Sequence, residues 1–502
     1  MSYELIAAVD LGSNSFRLQV GRIVGDQIYP LDSLKEPVRL AAGLTPQKIL
    51  DGASQLRAIE ALRRFSERLR GFDAGAVRAV GTNALRVAKN APQFLIQAEA
   101  ALGFPIEVIA GREEARLIYV GVAHTLPNPA TQQFVVDIGG GSTEFIIGRS
   151  FEPAVLESLY MGCVSYSLAF FQKGRIDKKG FREAELAARK ELQTIVHRFK
   201  EVGWEQAVGS SGSAKAICDM IELSGFSKGG ITRDGLDQLK ARLLRVGDLA
   251  SADVPGLRPD RIPVLPGGLA IMSAVFEEFG IERMIFSEGA LRLGVLYDLL
   301  GRYHHQDLRD ATVRNYMRRY EVDPRQSQRI ADAALAFLQQ VRADAGGADH
   351  PDARFLEWAA RLHEIGISVA HSGYHKHSAY ILGNADMPGF SKMDQGRLAR
   401  VVLAHRGKLE RVQSMAAESR DWDLILCLRL AVLVHRARDD ARLPPLQLRR
   451  GARGFQITAD ADWLAASPLT AAALEEEMRQ WASIGKELRL KSSRGAERIL
   501  AP

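Results

Sequence analysis

Through the first 300 residues, short apolar runs that end at a carboxylate or a glycine alternate with longer segments whose apolar positions recur every three or four residues. The runs predict strands at Ile6 to Val9, Val77 to Val80, Phe134 to Val136, Glu144 to Ile147 and Gln206 to Val208. Phe16 to Ile28 reads as two more strands joined around Gly25-Asp26. The helical period covers 51–70, 91–102 and 111–123 and resumes from Ala214. Strands and helices mixed in this way predict an α/β region. From 311 to 440 the period is helical almost throughout, and the tail opens with Leu443-Pro444-Pro445 before a strand at 455–458 and a helix at 468–484.

One pattern occurs twice. Asp10-Leu-Gly-Ser-Asn-Ser and Asp137-Ile-Gly-Gly-Gly-Ser each follow an apolar strand and precede another strand. A dinucleotide or P-loop motif leads from a strand into a helix, so neither reading applies here. A glycine-rich hairpin tip can still offer consecutive N–H groups to an anion, and Gly139, Gly140 and Gly141 let an oxyanion approach without Cβ interference. Two facing hairpins would clamp a phosphate chain, with the Asp ending each strand left to hold a divalent cation or order water. One such motif alone reads equally as a tight turn with a capping Asp; its return in the same context makes chance a poor account.

Composition narrows the classes. The 502 residues are 46% apolar, enough for two to four domain cores. No apolar stretch runs far enough without charge to span a membrane, and the start, MSYELIAAVD, lacks the basic region of a secretory signal. Both point to the cytoplasm, with peripheral attachment to anionic lipid left open. Cys163, Cys218 and Cys427 are odd in number and far apart, as expected of reduced, buried thiols. The net charge of +6 falls wholly beyond residue 300, since the first 300 residues carry equal numbers of acidic and basic side chains. That asymmetry predicts a neutral catalytic region followed by a basic module that meets something anionic, or simply a solvated, arginine-rich helical surface.

The paired hairpins resemble the two phosphate loops of the actin, sugar kinase and heat-shock 70 superfamily. Within it the chain resembles the exopolyphosphatase and guanosine pentaphosphate phosphohydrolase family, in its long bacterial form. Further motifs carry the likeness in order: Gly81-Thr82-Asn83-Ala84-Leu85-Arg86, Gly111-Arg112-Glu113-Glu114-Ala115-Arg116, Gly209-Ser210-Ser211-Gly212-Ser213, and Leu362-His363-Glu364-Ile365-Gly366 followed by His371-Ser372-Gly373. The resemblance implies two ribonuclease H-like domains, at 1–124 and 125–303, then an all-α HD-like domain at 304–440 and a small α+β unit at 441–502. It implies processive removal of terminal phosphate from inorganic polyphosphate, with Mg2+ as cofactor and K+ or other divalent ions as further activators in some members. It also implies removal of the 5′-terminal phosphate of guanosine pentaphosphate (pppGpp) at the same site, and a homodimer that reads no specific nucleic acid.

Cleaving a phosphoanhydride with water needs positive charge or donors on the transferred group and one group to orient the water. In the family the second task belongs to the glutamate that is Glu114 here. Taken alone, Glu114 in the first turn of a helix reads equally as a residue that offsets the helix dipole, with Arg116 a surface partner of Glu113. Ser13, Asn14, Ser15, Ser142 and Thr143, with the three glycines, supply neutral donors, and Arg17 and Arg86 supply fixed charge. Asp10, Asp137 and Glu144 are the expected metal ligands, because three carboxylates in one cleft repel without a cation. Ser213 and Lys215 are candidates for distal phosphates or the guanosine end, although a helix N-cap by Ser211 or Ser213 fits as well.

His363-Glu364 stands where a metal-dependent HD phosphohydrolase has His-Asp, and the longer arm of Glu disturbs tight metal geometry. We therefore read 304–440 as a degenerate HD-like module that extends a basic channel for a polyanion and contributes to a dimer interface. Polar pairing or phosphate contact is the expected use of His371, His375 and His377 rather than metal. Arginine and lysine lining of that channel without interleaved aromatics favours phosphate over bases, and Arg449, Arg450 and Arg453 follow at the opening of the tail. Polyphosphate leads and pppGpp follows; a polyanion-binding protein without chemistry, or a kinase of the same superfamily, would lack hydrolysis or depend on ATP.

Overall fold

A computed structural model describes residues 3–25, 27–126, 130–171, 175–249, 254–303, 307–342, 350–415, 419–439, 446–451, 454–492 and 497–498. Asp26, Leu443-Pro444-Pro445 and Arg453 lie outside the described residues. The chain forms two units, Met1–Asp307 and Leu308–Pro502.

The first unit contains the same topology twice. In the first sheet β1 (Leu5–Leu11), β2 (Phe16–Val24) and β3 (Gln27–Glu36) make an antiparallel meander, and β4 (Val77–Gly81) and β5 (Ile106–Val108) add in parallel on the other side of β1, giving the order β3-β2-β1-β4-β5. The second sheet repeats the meander with β6 (Gln133–Ile138), β7 (Thr143–Arg149) and β8 (Glu152–Leu159), and β9 (Gln206–Ser210) and β11 (Arg283–Phe286) add in parallel. A two-residue strand, β10 (Ile231–Thr232), extends its far edge. Both are ribonuclease H-like sheets. The repeat reaches a detail the motif does not announce: each meander carries a bulge at the same place in its third strand, the extra residue being Leu31 of β3 opposite Val20-Gly21 and Ala154 of β8 opposite Ile147-Gly148. A Cβ at Gly21 or Gly148 would lie 2.4 Å from a side chain packed over it, from Ile28 or Tyr119 respectively, so glycine stands across from each bulge.

β6 is buried along its whole length, as its unbroken Phe-Val-Val-Asp-Ile run requires. Between the two sheets lie two helices, Gly111–Ala123 and Leu291–Tyr303, whose apolar faces share one cluster with Ile6, Ala8 and Val80 on one side and Val135, Ile146 and Val208 on the other. They cross at backbone distance. A Cβ at Gly294 would sit 1.7 Å from the Leu117 carbonyl oxygen, and one at Gly121 2.3 Å from that of Ala290. A buried ion network closes the crossing: Arg116 pairs with Glu113 at 2.7 Å, and Asp298 bridges Arg116 to Arg78. Arg116, which one of the two readings of this helix places on the surface, is thus in the interior, where two carboxylates offset the cost of burying it.

The second unit is helical from Leu308 to Val434 and ends in a four-stranded sheet, β12 (Gln447–Gly451), β13 (Gly454–Ala459), β14 (Glu487–Ser492) and β15 (Glu497–Arg498). The helix Pro468–Ala482 lies between β13 and β14 in the chain and packs Trp481 edge-on to Trp422 at 5.8 Å, so helices and sheet share one core. Among the described residues no helix is long and apolar enough to cross a membrane, and all three cysteines are buried and free.

Candidate active site

Both hairpins bring their Asp to the same place. The register sets Asp10 opposite Arg17 and Asp137 opposite Glu144, so equivalent positions of the repeat carry a cation in one half and a carboxylate in the other. The tips abut: a Cβ at Gly140 would lie 2.9 Å from Ser13 Cβ and 3.1 Å from the Asn14 nitrogen, and one at Gly141 2.4 Å from Asn83 Oδ1. Glycine is demanded here by the neighbouring loop, not by backbone dihedrals. The carbonyls of Gly139 and Gly140 accept hydrogen bonds from Cys163 and Val164 at the start of the helix Cys163–Phe170. Because the peptides are trans, this turns the N–H groups of Gly140 and Gly141 the other way.

The tips open onto a cleft of about 440 Å³. Ser13, Asn14, Ser15 and Arg17 reach it from the first hairpin, and Gly139, Gly140 and Ser142 from the second. Asp10, Asp137, Glu114 and Ser213 complete its floor and walls. Ser13 is held there, its Oγ accepting from the Ala84 N–H at 3.1 Å. Ser211 caps its own helix, its Oγ accepting from the N–H groups of Ser213 and Ala214, which leaves Ser213 on the cleft wall beside Cys163. Ser211 adopts φ +84°, a strained conformation for a residue with a side chain, at the point where the chain turns from β9 into the cleft.

Four candidates lie behind that surface. Thr143 is fully buried and donates to the Met161 carbonyl at 2.6 Å, and Gly141 faces Asn83. Glu144 accepts from Ser158 Oγ at 2.8 Å, and burial, with Glu114 and Asp137 nearby, pushes its carboxyl well above the usual range. Arg86 donates to Glu114 at 2.7 Å and to the Ile109 carbonyl at 3.0 Å. Burial opposes its charge, but Glu114 and Glu144 more than offset this and hold the guanidinium above its ordinary value.

Asp10 and Asp137 carry the marks of cation ligands. Burial pushes Asp10 up to about 7 and Asp137 up to about 6, and Asp10 Oδ1 is buried without a hydrogen-bond partner. An orphaned buried carboxylate oxygen is costly unless a hard cation satisfies it. Among the described residues no three His, Cys, Asp or Glu side chains converge to form a complete cage.

The motifs did not mark several cations. Arg261 is buried over Gly212, where a Cβ would lie 2.1 Å from its Nη2, so this glycine exists to admit the guanidinium. Lys35, Arg258 and Arg292 also line the cleft, with Lys35 tied to Asp260 at 3.0 Å. Burial, then Arg17, brings Arg292 down to about 10, with Asp10 acting against them. None lies in a glycine-rich signature, and only the folded chain brings them to the hairpins. One weaker signal existed: Gly289 and Gly294 stand on either side of Arg292, the first just before its helix and the second within it, where the chain meets the Gly111–Ala123 helix at backbone distance.

In the second unit His363 and His405 are buried with ring centroids 5.1 Å apart, and His363 Nδ1 lies 2.6 Å from the Ala360 carbonyl. His375 pairs with Arg411 at 2.6 Å; burial and that arginine bring it down to about 4. Glu364 is bound to Arg438. His371 is exposed and His377 half-buried.

The chain belongs to the Ppx/GppA phosphatase family: the family model matches residues 19–303, and the model of Ppx/GppA phosphatase domain III matches 308–478. Among solved structures it is similar to an exopolyphosphatase from Cytophaga hutchinsonii ATCC 33406, at 23% identity and TM-score 0.54, over 59% of this chain and 97% of that one. It is also similar to an exopolyphosphatase-like protein, at 24% identity and TM-score 0.54, over 59% and 97%. At these identities the likeness shows the fold alone.

Proposed function

We propose that the protein is an exopolyphosphatase that removes terminal phosphate from inorganic polyphosphate. The observation that carries this reading is the cleft's lining: carboxylates at the hairpin ends, and then five cations, Lys35, Lys215, Arg258, Arg261 and Arg292, spread along its walls against two further carboxylates, Asp219 and Glu288. One aromatic side chain, Phe286, is described there, and the Lys215 ammonium sits over its ring at 5.0 Å. A purine seeking a stacking platform finds that face taken, whereas a phosphate chain meets a further cation.

In this reading Ser13, Ser15 and Ser142 with the N–H of Gly140 hold the terminal phosphoryl oxygens, and Arg17 offsets their charge. Glu114, fixed by Arg86, orients a water toward phosphorus in line with the scissile bond and takes its proton as the P–O bond forms. The shortened chain leaves as an anion already stabilised by the cations beyond, and needs no acid. Asp10 and Asp137 are the side chains that would hold Mg2+, which supplies charge neutralisation on the bridging and terminal oxygens when bound. Guanosine pentaphosphate offers the same terminal group and is the second reading.

Phosphate release with Mg2+ from long-chain polyphosphate and from pppGpp, compared for wild type and Glu114→Ala, tests the proposal. Preference for the long chain, lost in the variant, is expected. Preference for the nucleotide would reassign the substrate, and release from neither would end the hydrolase reading.

A further inference from the structure

Arg292 is a cation of the cleft that lies outside the glycine motifs and has so far been given no role of its own. It lies in the first turn of the Leu291–Tyr303 helix, where the helix dipole already disfavours positive charge. Its electrostatic neighbours are Arg17, which repels it, and Asp10, which attracts it. Among the described residues it makes no hydrogen bond and no ion pair within 4.0 Å, while the neighbouring arginines of the same helix crossing, Arg78 and Arg116, are both saturated by Asp298 and a glutamate. A structural arginine in this fold is therefore paired, and this one is left open toward solvent in the cleft.

The helix crossing fixes where it is. Gly294 lies two residues after Arg292 and meets the Leu117 carbonyl, three residues after Glu114; Gly289 would bring a Cβ to 2.3 Å from the Gly121 carbonyl. Glu114 and Arg292 thus ride on two helices locked at backbone contact, one carrying the group that orients water and the other a guanidinium. Arg17 approaches from the β2 side of the hairpin. Two guanidinium groups held in one cleft repel each other until an oxyanion lies between them, and a phosphate offers oxygens enough to bridge both.

We propose that Arg292 is a phosphate-binding residue of the reaction, sharing with Arg17 the oxygens of the phosphoanhydride whose terminal bond is hydrolysed. The assignment rests on the phosphatase reading and extends it to a residue outside the glycine motifs. Because burial and Arg17 oppose this charge more than Asp10 favours it in the free protein, the same side chain that aids the substrate destabilises the empty cleft.

The test uses the full chain with Arg292→Gln and Arg292→Lys. For Arg292→Gln we expect kcat/KM on long-chain polyphosphate to fall about 100-fold or more, with Arg292→Lys between it and wild type. In the free state Arg292→Gln should melt at or above the wild-type temperature, which no variant of a structural arginine would do. Tripolyphosphate without divalent cation should raise the wild-type melting temperature and leave that of Arg292→Gln nearly unmoved. An unchanged kcat/KM, an undiminished tripolyphosphate shift, or a free variant that melts below wild type would each overturn the assignment. If wild type releases no phosphate from any substrate, the functional reading fails, and the tripolyphosphate shift still decides the role of Arg292.

Discussion

Arg86, behind the cleft surface, and Glu114, in its wall, form an ion pair at 2.7 Å, both nearly buried, although 28 residues separate them in the chain. Arg86 sits in the short helix Asn83–Val87 after β4, and Glu114 in the first turn of the helix after β5, so two parallel strands deliver them side by side. The arginine thereby acts on the reaction through the carboxylate it holds rather than on phosphate directly. Arg86→Gln should lower kcat about 100-fold with little change in KM, since the group that orients water loses its position and substrate keeps its own contacts. Losing the cation from a cluster that includes Glu144 and Asp137 also favours protonated carboxyls, so the acid limb of the kcat/KM profile should move to higher pH. A rise in KM at constant kcat would instead make Arg86 a substrate ligand.

Ser13 bridges the first hairpin to that same short helix through the Ala84 N–H. Ser13→Ala leaves a buried donor unpaired, at a cost of about 1–3 kcal/mol, and frees the hairpin tip. A lower urea midpoint together with a higher KM is expected; a lower midpoint with unchanged KM would confine Ser13 to stability.

The crossing of the two central helices should tolerate no side chain at Gly294. A Cβ there would lie 1.7 Å from backbone, which no rotamer change relieves, so Gly294→Ala should cost about 3 kcal/mol. Activity should fall with it, because Glu114 and Arg292 lose their fixed separation. Gly396, within the helix Lys392–Ala404, has no heavy atom within 4 Å of the Cβ position, and Gly396→Ala should stabilise by about 0.5–1 kcal/mol. Thermal melts of the two variants check both signs.

The sequence was most legible where one local pattern sufficed. The doubled Asp-x-Gly hairpins, the strands around them and the 111–123 helix could be read from period and glycine placement, because the hairpin tip itself supplies the chemistry. The likeness to the family then pointed to Glu114. What could not be read depends on contacts between distant segments. Arg86 looked like a phosphate ligand because nothing in Gly81 to Arg86 reveals that Glu114 lies next to it. Arg116 could be read as exposed because its partner Asp298 is 182 residues away. Glu144 stands at the equivalent of Arg17 yet turns to Ser158 instead of the cleft, a choice made by β8 packing beside β7. The short strands β5, β10 and β11 carry too few residues to show a period of two.

Asp10 connects the site's electrostatics to stability. Burial, the largest cause, raises it to about 7 from an ordinary 3.8, and raises Asp137 to about 6. The folded protein therefore holds these protons over a range in which the unfolded chain has released them. Their contribution to stability is fully present below the unfolded value, and it is lost as pH rises through the folded values. Without divalent cation, Asp10→Asn should match wild type near about pH 4 and melt progressively above it, by about 5 °C, as pH approaches about 7.5. Other carboxylates push the opposite way, Asp260 being held down at about 2 by Lys35 and Arg258 against its burial, so the difference between the two proteins is the quantity to follow. Mg2+ should reverse the trend: it competes with the proton at Asp10, so it should raise the wild-type melting temperature more near about pH 7.5 than near about pH 5, and Asp10→Asn little at either. Parallel melting curves for the two proteins across this range, or equal stabilisation of both by Mg2+, would detach Asp10 from the cation site and leave its buried, unpartnered oxygen to be explained by something else.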